Sequence, residues 1–189
     1  MTTTEISTVA RIPGLSGRGM PRRLGPLLGP FARRFLDHIP FPSSMTDRIR
    51  ALERDGAVIV WVHRARNPVE HLALARVVAR DALPRARYVG GLNVSLLQPF
   101  RIWPTLTGNA EREEELLEKC VRSGHPAEIF LRRPLTLLSS GTGYRAHWIE
   151  TLVRVQRSMS RPIVLVPIFL ALKQRPGNFE PTPLDAIFG

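Results

Sequence analysis

The chain has 189 residues and a single cysteine, Cys120. That excludes an internal disulfide and any metal site built from several cysteines, and it suits a reducing cytoplasm. Long hydrophobic runs are missing as well. Every apolar stretch is broken by Arg, Pro or Gly well short of the roughly 18 residues that a transmembrane helix needs. The start, Met1-Thr2-Thr3-Thr4-Glu5, lacks the basic-then-apolar order of a signal peptide. Lysine is almost absent, with only Lys119 and Lys173. The aromatic signature of RNA-binding modules, zinc-ligand spacing and a helix-turn-helix pattern are all lacking, which argues against nucleic acid as a partner.

What the chain does have is arginine. Its 27 basic and 16 acidic side chains leave a formal charge of +11. Such a surface attracts phosphorylated substrates or an anionic membrane. The arginines are scattered along the chain rather than blocked, so a compositional preference for Arg explains them equally well. The length bounds the answer to one domain by default, with enough chain to bury a sizeable core.

The stretch that organises the chain runs from Ala57 to Arg76. Ala57-Val58-Ile59-Val60-Trp61-Val62 is a β-branched apolar run of the kind found in parallel strands buried on both faces. The sequence then turns polar at His63-Arg64-Ala65-Arg66. Asn67-Pro68 supplies an N-cap and a first helical position. Val69, Leu72, Ala73 and Val77 then share one helical face. Polar residues therefore gather where a strand's carboxyl end meets a helix amino end, the usual ligand position in open α/β sheets.

Elsewhere, residues 11–30 read as a mobile, basic, Gly- and Pro-rich leader. Phe31 to His38 has the pattern of a short helix. A helix follows Ser43-Ser44 and stops at Asp55-Gly56. Further strands are expected over 86–89, 127–131 and 163–170. Further helices are expected over 69–82, 111–122 and 144–158. Strands alternating with helices predict an α/β fold, a mostly parallel central sheet flanked by helices behind an irregular N-terminal leader. The division expected is a leader over 1–43 and an α/β domain over 44–189, truncated at its carboxyl end. No cofactor is implied, and nothing in the sequence forms a metal cluster.

Four segments, Val58 to Val77, Tyr88 to Ser95, Glu128 to Leu135 and Arg161 to Leu170, stand in an order and spacing that resembles a known family. It is the membrane-associated glycerol-3-phosphate acyltransferases of phospholipid synthesis, within the phospholipid/glycerol acyltransferase superfamily. The likeness covers roughly Thr46 to Phe179, the amino-terminal part of that catalytic domain. It implies transfer of an acyl group from a thioester, on CoA or acyl carrier protein, to glycerol-3-phosphate. It also implies a peripheral place on the inner face of the cell membrane. In the family a histidine takes the hydroxyl proton, a carboxylate further along orients the imidazole, and arginine-bearing loops hold the phosphate.

The chain departs from that pattern. Aligned by Arg66 and the following helix, the family histidine falls on Ala65, Asn67 stands for the serine, and Glu70 stands for the aspartate. His63, two residues earlier, is the remaining base candidate, and a bulged loop would bring it to Glu70. The resemblance thus makes His63 and Glu70 the catalytic candidates, and Arg66, Asn67, Arg132 and Arg133 the substrate-binding ones. The two arginines of the third block read equally as a solvated basic loop. His71 reads as a helix-surface or packing residue. Loss of the family base leaves an alternative, a catalytically inactive relative acting as a lipid-binding or scaffolding domain.

Overall fold

The computed structural model describes residues 19–21, 28–65, 67–90, 110–132 and 147–170. Among these residues nine elements follow one another: α1 (Leu28–Leu36), α2 (Ser43–Arg54), β1 (Val58–Ala65), α3 (Pro68–Arg80), β2 (Tyr88–Gly90), α4 (Ala110–Arg122), β3 (Ala127–Arg132), α5 (His147–Arg157) and β4 (Ile163–Ile168). The four strands form one sheet in the order β2-β3-β1-β4, and every pairing is parallel. All four expected strand segments thus lie in a common α/β sheet.

The strand order, with its parallel pairings, is the kind that crossover connections produce. The chain moves from β1 to β2 through α3 on one face, then back to β3 through α4 and on to β4 through α5 on the other. Reversing direction along the sheet while keeping right-handed crossovers requires that change of face. Val58, Val60 and Val62 of β1 look towards α4 and α5, packing with Tyr88, Leu117, Val121, Ile129, Trp148 and Leu152. Ile59 and Trp61 look the other way, towards α2 and α3, packing with Ile49, Leu74, Val77, Val78 and Phe130.

Helix α3 is buried on two sides, which its sequence only half revealed. One stripe, Leu72 and Ala73, packs under Leu36 of α1. The other, His71, Leu74, Ala75 and Val78, is buried with i, i+3, i+4, i+7 spacing, the period of one helical face. Helix α1 is fastened to α3 by a two-pronged Arg76–Asp37 contact. Arg80 reaches the carbonyls of Asp37 and Ile39 at 3.0 and 3.1 Å.

Three differences from the sequence reading matter. Strand β1 runs three residues past Val62, because His63 and Ala65 are in register with Phe130 and Arg132 of β3. His63 is therefore a sheet residue and not part of a loop. Among the described residues, β4 stands at one edge of the sheet, with Leu165 and Pro167 exposed. An edge position tolerates Pro167, which has no N–H to give to a second neighbour. In the leader, Met20 is buried among the α3-side apolar residues and its N–H donates to Ala86 O at 3.0 Å. Residues 1–18 and 22–27 of that segment lie outside the described residues. Helix α4 ends as expected at Ser123-Gly124, where Gly124 takes a positive φ of 74°, a conformation that favours glycine at a helix terminus.

Candidate active site

Strands β1 and β3 lie side by side, yet the chain leaves β1 for one face of the sheet and β3 for the other. Between two such strands the carboxyl edge opens into a crevice, the place where open α/β sheets bind ligands. Ala65 and Arg132 face each other in register at this edge.

Just inside it lies a buried cluster of two carboxyls and two imidazoles. His63 Nδ1 donates to Glu70 Oε2 at 3.2 Å. Its other nitrogen, Nε2, lies 2.9 Å from Glu128 Oε1, but off the N–H axis, so no aligned hydrogen bond forms there. His71 Nδ1 contacts both Glu128 oxygens at 2.9 Å. The His63 ring also stacks on Phe130, with centroids 4.7 Å apart and planes 17° apart. The side chains of His63 and Glu128 are wholly buried, while that of Glu70 is 13% exposed.

The local sequence explains the assembly. Trp61 and His63 point to the α3 side because residues two apart on a strand share a face. Glu128 and Phe130 are in register with them on β3 and so point the same way. Asn67 starts α3, its Oδ1 accepting from Val69 N–H at 2.9 Å with Pro68 in the first turn. That start puts Glu70 and His71 in the helix's first turn, over the end of the sheet. A carboxylate there also meets the positive end of the helix dipole.

Electrostatics hold the cluster together. Burial works to raise the Glu128 carboxyl. The charge on His71, the polar contacts of the His63 and His71 rings with the carboxyl, and the charge on His63 outweigh it and keep Glu128 below the ordinary carboxylate value. A buried carboxylate without such partners would be expelled or neutralised. Cys120 offers no alternative nucleophile: burial pushes its thiol up to about 12. Among the described residues, no group of three or more His, Cys, Asp or Glu side chains is arranged to hold a metal ion.

The structure therefore brings His63 and Glu70 together, and does so through an extended strand instead of a bulge. Asn67 caps α3. Arg66 and Arg133 lie outside the described residues, and only the backbone of Arg132 is described. Two members of the cluster were missed by sequence reasoning. Glu128 is the lone acid in an apolar strand, and an acid so placed demands a buried partner. His71 opens the 71-74-75-78 stripe, but the neighbouring stripe was read as the inner face.

The chain is 28% identical over 141 residues to the glycerol-3-phosphate acyltransferase of Haemophilus influenzae. It is also 28% identical over 140 residues to proteins of that name in Actinobacillus pleuropneumoniae and Actinobacillus succinogenes. It is a distant relative of these acyltransferases. The similarity covers 66% of this chain but spans only 17% of the length of each relative. No family model and no solved structure matches the chain. The relationship supports an acyltransferase-like role. No helix among the described residues of this acyltransferase relative is long and apolar enough to cross a membrane.

Proposed function

We propose that this chain carries the base-bearing part of a glycerol-3-phosphate acyltransferase site. It would take an acyl group from a CoA or acyl carrier protein thioester and pass it to a hydroxyl of glycerol-3-phosphate. The observation that carries the reading is the 3.2 Å contact between His63 Nδ1 and Glu70 Oε2 at the β1–α3 junction, in a chain whose named relatives are glycerol-3-phosphate acyltransferases. An imidazole–carboxylate dyad is the apparatus that removes a hydroxyl proton near neutral pH.

Arg66, Asn67, Arg132 and Arg133 are the proposed phosphate contacts. Arg66 and Asn67 follow β1 in sequence, Arg132 ends β3 and Arg133 follows it, and a guanidinium fork suits a phosphate. The net charge of +11 favours a peripheral place on an anionic membrane surface, where both acyl donor and product partition. The test is transfer of a radiolabelled acyl group to glycerol-3-phosphate, with acyl-CoA and acyl carrier protein offered separately. Label in lysophosphatidate that depends on both substrates is the expected result. Background label with either donor, in the presence and absence of anionic vesicles, overturns the reading.

A further inference from the structure

We propose that Glu70 is the group that meets the acceptor hydroxyl and that His63 stands behind it, the reverse of an imidazole-first dyad. The inference rests on the acyl-transfer reading above. Three observations order the groups. Ala65, where the family alignment would place a histidine, has only a methyl side chain at the strand edge. His63 is fully enclosed, with carboxylate oxygens within 3.2 Å of Nδ1 and 2.9 Å of Nε2 and a phenyl ring against its face. Turning the ring outward would abandon all three contacts. Glu70 alone in the cluster reaches the surface, with 13% of its side chain exposed.

The reaction then balances as follows. The acceptor oxygen bonds to the acyl carbon as the carbon–sulfur bond breaks. The hydroxyl proton passes to Glu70 and is returned from there to the departing thiolate. His63 and, through it, Glu128 and His71 are positioning residues that fix the carboxylate's angle and complement its charge. Among the described ionisable groups, His63 of β1 contacts Glu70, and Glu128 of β3 and His71 of α3 are joined to it through His63. Arg64, next along β1, is exposed on the opposite side.

The order can be read without turnover. Native protein is treated with a water-soluble carbodiimide and glycine ethyl ester, then separately with diethylpyrocarbonate, and modified residues are mapped by mass spectrometry. Glu70 should couple, as should the exposed Asp47, while Glu128 and both cluster histidines should stay unmodified until the protein is unfolded. In the acyl-transfer assay, Glu70→Gln should lower kcat by about 100-fold or more, the usual scale for losing a general base. Glu70→Asp should retain more of it, and His63→Gln should lose less than Glu70→Gln. Modification of His63 in native protein with Glu70 unmodified overturns the order, as does a His63→Gln loss exceeding that of Glu70→Gln. The mapping uses unaltered protein, so a His63→Gln chain that fails to fold leaves the order open to refutation. Wild-type protein that couples at Glu70 but transfers no acyl group removes the acyl-transfer reading and keeps the order of exposure.

Discussion

The two faces of the sheet are built from alternate residues of the same strands, yet they solve different problems. On the α4–α5 side Val58, Val60, Val62, Ile129, Leu117 and Trp148 fill space with apolar groups. On the α3 side the same two central strands supply His63 and Glu128 to a cluster with Glu70 and His71. An apolar face can be stable with many arrangements of similar volume. A buried charged cluster has few alternatives, because each member loses its compensation if another is removed. A network of that kind lies here near the carboxyl edge of the sheet, where open α/β sheets bind ligands.

The widest gap between the faces is expected from Glu128→Ala. It strips both imidazoles of their shared carboxylate and should destabilise by about 3–5 kcal/mol, the scale for breaking a buried ion pair. Replacing His63, Glu128 and His71 together by apolar residues of matching volume should restore much of that loss. Urea unfolding of the single and triple variants measures both. On the other face, Leu117→Ala leaves a cavity and should cost about 3 kcal/mol, with no rescue from any charged substitution nearby.

Acid should separate the faces next. The Glu128 carboxyl titrates below its ordinary value of 4.5 in the folded protein, so the folded state binds that proton less readily than the unfolded chain does. Its contribution is complete above the ordinary value and is lost as pH falls through the folded one. The difference in urea midpoint between wild type and Glu128→Gln should therefore shrink as pH drops below about 4.5. A difference unchanged down to about pH 3 would mean that the carboxylate is not what His63 and His71 hold. Leu117→Ala should show no such narrowing.

A smaller effect is expected at the end of β2. A Cβ on Gly90 would lie 2.9 Å from Trp148 Cη2 and 3.1 Å from Tyr88 Cε1. Both rings belong to the packed α4–α5 face, so Gly90→Ala should cost about 1–3 kcal/mol by overpacking. Near-ultraviolet circular dichroism would report the displaced Trp148, and an unperturbed spectrum with full stability would show that this face yields more easily than its packing suggests.

The central strand was legible in the sequence because a parallel strand buried on both faces needs a continuous β-branched run, and 57–62 is one; 163–170 is an apolar run too, although within β4 only Val166 is fully buried. The helix limits were legible where capping residues stood, at Asn67-Pro68 and Ser123-Gly124. The site was legible only in part. His63 and Glu70 could be named from the acyltransferase resemblance, and their seven-residue separation suggested a bulge. The strand instead continues, since pairing with β3 decides where β1 ends and that pairing is not local. Glu128 was invisible for the same reason: it lies 57 residues from His71, and only the register of β1 with β3 brings them together. His71 was misread because α3 has two buried stripes, and periodicity cannot tell which of them faces the sheet.

The smallest expected effect concerns the helix start that joins the two faces' logic. Asn67 satisfies the Val69 N–H at 2.9 Å, and Asn67→Ala should cost about 1 kcal/mol, the usual value of a lost N-cap. Asn67→Ser should cost only a few tenths, since serine caps nearly as well. If Asn67 serves only as a cap, the two variants should differ in stability while both keep whatever glycerol-3-phosphate affinity the wild type has. If its amide also touches the phosphate, as proposed, both should raise KM for glycerol-3-phosphate, and Asn67→Ser should do so without a matching loss of stability. That separation of KM from unfolding midpoint is the finest distinction available between a residue that shapes the charged face and one that uses it.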